Sequence, residues 1–274
     1  MRKFLRTVLF PALAFFIIAC SNESRKSSGN IQEQKVKEEK AEKKDCKDIH
    51  WTHHPGEEGP ENWAHLCDGF KECAGQRQSP VDIQTEHAMA TGTLQAPVLK
   101  YGSTPVYIVN NGHTVQFNVK GEHQVNLNGK EYKLLQFHFH APSEHTIDGQ
   151  HFPLEVHFVH KHSGNDFAVI GIMFKEGKEN TLLASYLDKF PTEKGEFKSD
   201  DQIDLSSLLP ENKSYYHYPG SLTTPPCSEV VSWYVLATPV EASKEQLEKL
   251  ARILDNNFRP VMPLNGRKIQ FYKE

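Results

Sequence analysis

Between residues 100 and 240, apolar side chains recur at alternate positions in short runs: VYIVN, HTVQFNV, YKLLQFHFHA, LEVHFVHKH, FAVIGIMF and VVSWYVLA. A period of two marks strands with one covered face. The dipeptides Asn111-Gly112, Asn128-Gly129, Asp148-Gly149 and Ser163-Gly164 separate the runs, as turn residues do. A helical period shows in two places only. TLLASYLDKF sets Leu183, Tyr186, Leu187 and Phe190 on one side. SKEQLEKLARIL opens with a capping box, Ser243 to Gln246, and continues with Leu247, Leu250, Ala251 and Leu254. So little helix cannot supply the crossovers of a parallel sheet. The pattern therefore predicts a mixed, β-dominated (α+β) single domain over residues 46–274. Its centre would be a large, mainly antiparallel, twisted sheet with a few peripheral helices.

The first 45 residues are patterned differently. Arg2, Lys3 and Arg6 precede an apolar run from Val8 to Ala19. As a helix that run spans about 18 Å, short of the ~30 Å of a bilayer core, so residues 1–20 read as an export signal. The ending IIAC resembles a bacterial lipobox, which would make lipidated Cys20 the mature N-terminus; the alternative is an ordinary cleaved signal. Residues 21–45 are rich in Lys, Glu, Ser and Gln, lack aromatics and cannot bury a core, so they read as a charged, flexible spacer. The expected location is outside the cytoplasm, periplasmic or surface-facing. A lipid would be the only membrane contact, and Ser21 after Cys20 favours the outer membrane.

Composition narrows the partners. The 274 residues are 38% hydrophobic and 24% charged, with a net charge of −4 and no basic stripe, which argues against nucleic acid. Association into a homodimer is left open. Of the 5 cysteines, Cys46, Cys67, Cys73 and Cys227 remain once Cys20 is set aside. In an exported domain an even number favours two disulfides, with three connectivities open. No pair has the C-x-x-C spacing of a cysteine zinc site.

The chemistry concentrates in the histidines. His138, His140, His145, His151, His157, His160 and His162 crowd one stretch of the chain. In LQFHFHAPSEH, alternation puts Gln136, His138 and His140 on one face and Leu135, Phe137 and Phe139 on the other. In LEVHFVHKH, Leu154, Val156, Phe158 and His160 form the apolar face, while Glu155, His157 and Val159 share the opposite one. His157 thus repeats the setting of His138, with a polar residue two positions earlier. His160 and His162 read as an exposed strand end. Three imidazoles with one open position suit a catalytic Zn²⁺, and Gln136 and Glu155 suit hydrogen bonding to the rear nitrogens of such ligands.

With these residues in place, the chain resembles the α-class carbonic anhydrases. The blocks GPENWAHL, QSPVDI, VNNGHTVQF, LQFHFHAPSEHTIDG, LEVHFVH, AVIGIMF, GSLTTPPCSEVVSW and NNFRPVMPLNGR carry the likeness across roughly residues 50–272. The resemblance implies a zinc lyase that interconverts carbon dioxide and bicarbonate by attack of zinc-bound hydroxide. It implies His138, His140 and His157 as ligands, with His145 and Asn257 as residues supporting them. Thr223 would accept the hydroxide's hydrogen bond and pass its own to Glu144. Val159, Val169, Leu222, Thr224 and Trp233 would line the substrate pocket, and His113 would shuttle the proton to buffer. Cys73 and Cys227 match the bridge of exported relatives, which leaves Cys46 for Cys67.

The sequence departs from the family at His53, where a tyrosine is usual, and at Gln116, where many animal members have asparagine. Two other readings compete. HFHAPSE fits the ligand run of a cupin-like iron or manganese protein, but Pro142 breaks the strand before Glu144 and SLTTPP is left without a task. An inactive, zinc-retaining binding lipoprotein would be expected to lack a ligand or Thr223, and none is missing.

Overall fold

In the computed structural model of this chain, residues 46–274 are described; the expected signal, Cys20 and spacer lie outside them. Eight strands carry the centre of the fold: β1 (Ser103–Asn110), β2 (Val115–Asn118), β3 (Lys130–His140), β4 (Leu154–Lys161), β5 (Phe167–Glu176), β6 (Gly195–Asp204), β7 (Tyr215–Gly220) and β8 (Val231–Ala242). They lie in a 12-stranded sheet in the order β6-β1-β2-β3-β4-β5-β8-β7, continued by Gln270–Tyr272 and Met89–Ala90. The β5–β8 pair at its centre runs parallel, as does the short pair at the far edge, and the remaining pairs are antiparallel. The sheet is therefore mixed, with antiparallel pairing dominant.

Turn chemistry sets the hairpins as expected. Asn128 and Gly129 both take positive φ between Gln124–Leu127 and β3, and Asp148 and Gly149 do the same between two short strands. This is the twist-compatible geometry of two-residue hairpin loops. Both expected helices form. The first, α1 (Thr181–Tyr186), is capped by the Asn180 side chain and followed by a 3₁₀ turn, Leu187–Lys189. The second, α2 (Lys244–Leu254), has the Ser243–Gln246 capping box. Leu247, Leu250 and Leu254 of α2 are buried; Ala251, expected with them, is exposed at the rim of that stripe.

One face of the sheet packs a large core of Phe117, Phe137, Phe139, Phe158 and Phe174 against Leu183, Leu187 and Leu250. The opposite face holds a second apolar cluster around Val169, Tyr218, Trp233 and Val235. The β3–β4 register shifts once: Val159 pairs with Gln136, but His160 pairs with Leu134. Leu135, expected on the core face, is the bulged residue and is 39% exposed, whereas Leu134 is buried. His160 is also not an exposed end. It is fully buried on the core side, where its Nε2 meets the Tyr101 hydroxyl and its Nδ1 faces the Ala168 carbonyl. His162 is exposed.

Candidate metal centre

Strand register builds the site. His138 on β3 lies directly across from His157 on β4, and Glu155 lies across from His140. Because successive residues alternate faces, all four side chains stand on the side opposite the phenylalanine core. One nitrogen from each of His138, His140 and His157 comes within 4.8 Å of the other two. His140 and His157 are buried, and His138 is half-buried at the cavity floor.

The other nitrogen of each ring is engaged. His138 Nδ1 lies 2.9 Å from Gln136 Oε1, and His140 Nδ1 lies 2.7 Å from the Asn257 carbonyl. His157 Nε2 lies 2.8 Å from Glu155 Oε1. A carbonyl or carboxylate oxygen only accepts, so each engaged nitrogen carries the ring proton. The remaining nitrogens, Nε2 of His138 and His140 and Nδ1 of His157, then present bare lone pairs to one point. Burial pushes the pKa of His138 and His140 down, which keeps both rings neutral. For His157 burial also disfavours charge, but the Glu155 and Glu144 carboxylates outweigh it and raise its pKa.

This donor set fits a tetrahedral zinc site. Among the described residues, the buried side-chain polar atoms lacking a hydrogen-bond partner are His140 Nε2, Glu144 Oε2 and His53 Nε2. Two of the three thus sit at the point where the imidazoles converge: Glu144 Oε2 is 3.6 Å from His140 Nε2 and 3.8 Å from His157 Nδ1. Orphaned polar atoms are costly in a protein interior unless something binds them.

Glu155 is the anchor behind the site. Its Oε1 accepts from His157 and from His145 Nδ1, and its Oε2 accepts from the backbone N–H groups of Glu144 and His145. Burial works against its charge, yet His145 and His157 outweigh burial and hold its pKa well below the usual carboxylate range. His145 Nε2 continues the chain to the Tyr218 hydroxyl at 2.6 Å, which lies 3.0 Å from Ser79 Oγ. On β5, Gly171 makes room: a Cβ there would lie 2.8 Å from Glu155 Oε1. A glycine inside the apolar run AVIGIMF was the sequence signal for such a close approach.

The apolar residues of the expected pocket form a row. Val159 pairs with Val169, and Val169 pairs with Trp233. The Trp233 ring lies 4.8 Å from that of His157, and Leu222 packs against the same cluster. A cavity of about 150 Å³ opens over His138 and His140, lined also by Trp51, His53, Asn111, His113, Gln116 and Thr224. His113 stands at its mouth, stacked on Trp51 with ring centroids 3.8 Å apart; burial, Lys194 and His50 lower its pKa. Thr223 is buried, but the hydrogen bond expected from it to Glu144 is not formed: Glu144 Oε2 has no partner. Glu144 Oε1 instead accepts from the Arg259 backbone N–H at 2.9 Å.

Disulfides join Cys73 to Cys227 and Cys46 to Cys67. Sequence reasoning missed Trp51, Gly171 and Arg259. It also missed that Asn257 holds His140 through a backbone carbonyl, a group common to every residue.

Comparison with known proteins decides the family. The family model for eukaryotic-type carbonic anhydrase matches residues 58–273. The chain belongs to the α-class carbonic anhydrases. It is 39% identical to a carbonic anhydrase of Neisseria gonorrhoeae over 98% of this chain and 99% of that one. A carbonic anhydrase of Pectobacterium atrosepticum is 42% identical over 81% of this chain and 90% of its own. Among solved structures, the α-carbonic anhydrase of Thermovibrio ammonificans, in complex with the inhibitor sulfanilamide, superposes with a TM-score of 0.78 at 46% identity. That match covers 81% of this chain and 99% of the other. Membership makes this α-class carbonic anhydrase a carbonate dehydratase, a lyase that hydrates carbon dioxide.

Proposed function

We propose that this enzyme hydrates carbon dioxide with a zinc ion held by His138 Nε2, His140 Nε2 and His157 Nδ1. The observation that carries this reading is the set of three rear hydrogen bonds, which turn all three bare nitrogens toward one point. When bound, zinc supplies Lewis acidity that brings a water's pKa to about 7, a value already familiar from carbonic anhydrases. The protein's own residues do the rest. Three neutral ligands leave the ion's charge undiminished. Glu144, held by the Arg259 N–H, is the acceptor for the Thr223 hydroxyl once that side chain turns toward it, which orients the attacking oxygen. Val159, Val169, Leu222 and Trp233 offer carbon dioxide an apolar wall, with Thr224 at the cavity edge. His113, half-buried at the mouth, relays the released proton to buffer.

An exported, lipid-tethered location through Cys20 accompanies this reading, with residues 21–45 as spacer. The paired cysteines support an oxidising compartment. No helix among the described residues is long and apolar enough to cross a membrane.

The test combines metal analysis with stopped-flow carbon dioxide hydration. One zinc per chain is expected, with hydration lost on chelation and restored by added zinc. Hydration that survives complete metal removal would refute the proposal.

A further inference from the structure

Arg259 is 1% exposed, and its guanidinium donates only to neutral oxygens: Nη1 to Gln78 Oε1 and the Ser79 carbonyl, Nη2 to the Cys73 carbonyl. Each of these three residues also anchors the 221–227 loop bearing Thr223. Cys73 is disulfide-bonded to Cys227, and Gln78 Nε2 donates to the Cys227 carbonyl. Ser79 and Ser221 bond reciprocally, each backbone N–H donating to the other's hydroxyl at 2.9 and 3.1 Å. Meanwhile the Arg259 backbone N–H holds Glu144. One residue therefore grips all three of these anchors and the carboxylate.

We propose that Arg259 is a positioning residue for carbon dioxide hydration, its guanidinium fixing the Thr223 loop in place relative to Glu144. The inference rests on the reading above that Thr223 and Glu144 act together. Burying an unpaired cation is expensive, and a fold that needed only packing here would be served by an apolar side chain. A guanidinium gives what an apolar group cannot, several donors in a rigid fork reaching three oxygens at once. Burial lowers its pKa only to about 10, so it is a cation at neutral pH.

The test replaces Arg259→Lys, which keeps the charge and loses the fork. Zinc stoichiometry, steady-state hydration and hydrogen–deuterium exchange are measured on the full chain. We expect unchanged zinc, kcat lower by about ten- to a hundredfold, and amides of the 221–227 loop exchanging about tenfold faster. The amides of β4 and β5 should keep their protection. Unchanged kcat and loop exchange would overturn the proposal, and so would uniformly faster exchange across all strands, the mark of general destabilisation. If Arg259→Lys does not fold, Gln78→Ala removes one leg of the same support; the same changes are expected of it, and the same results would overturn the proposal. A native protein that binds zinc but does not hydrate carbon dioxide overturns the functional reading instead, and loop exchange then decides the role of Arg259.

Discussion

Replacing Glu155 with glutamine tests whether a hydrogen bond behind the site sets the metal-facing nitrogen of His157. The native carboxylate accepts four hydrogen bonds: Oε1 from the His145 and His157 rings, Oε2 from the Glu144 and His145 backbone N–H groups. Glutamine keeps the shape but turns one oxygen into an NH₂ donor. If the amide oxygen stays with the two backbone donors, the NH₂ faces both rings. His157 must then accept at Nε2 and move its proton to Nδ1, the nitrogen needed for zinc. If the amide flips, two buried backbone donors meet a donor instead.

Either outcome is costly. Losing an oriented rear hydrogen bond typically weakens metal affinity about 10- to 100-fold. That range corresponds to about 1.4–2.7 kcal/mol. Two mispaired buried donors would cost about 1–3 kcal/mol each in stability, offset in part because a buried charge is removed. The assay is competition for zinc against a chromophoric chelator at pH 7.5, with circular dichroism to establish that Glu155→Gln is folded. A folded variant that binds zinc within about threefold of native affinity would refute the tautomer argument, since the expected loss starts near tenfold.

His113→Ala should slow turnover in weak buffer on the order of ten- to a hundredfold, and added imidazole should restore it; a variant indifferent to buffer would remove His113 from proton transfer. The Cys73–Cys227 bridge closes a sequence separation of 154 residues, so the Cys73→Ser/Cys227→Ser pair should lose about 5 kcal/mol in urea unfolding. His160, fully buried, has its pKa lowered to about 3 by desolvation. Its unfolded form therefore binds the proton first as pH falls below about 6.5, and stability drops by up to about 1.4 kcal/mol per pH unit down to about pH 3. His160→Phe should flatten that slope between pH 6.5 and 4 in urea titrations, and an unchanged slope would assign the acid sensitivity elsewhere.

The sheet and the three histidines were legible because both depend on a period of two. Once Phe137 and Phe139 are assigned to a core, His138 and His140 must face away, and matched parity finds His157 and Glu155 on the next strand. That rule fails where the period slips. Leu134 and Leu135 are equally apolar, so nothing local says which one the bulge expels. His160 lies on the apolar face of its strand, and its burial depends on Tyr101, a partner 59 residues away.

The least legible parts of the site are those that orient it. Arg259 reaches Cys73 across 186 residues and Gln78 across 181, and Asn257 reaches His140 across 117 through a group with no side-chain identity. Ligands can be found from short-range alternation because a strand displays them at fixed intervals. The rear partners of His138 and His157 share that legibility, each two residues away in the same strand, whereas that of His140 comes from a distant segment brought close only by the complete sheet. It follows that at His140 the nitrogen's position and its proton state are set at different levels of the fold. Two adjacent strands suffice for the positions. The proton state of His140 awaits the docking of the 255–259 segment, whereas that of His157 is fixed within its own strand by Glu155.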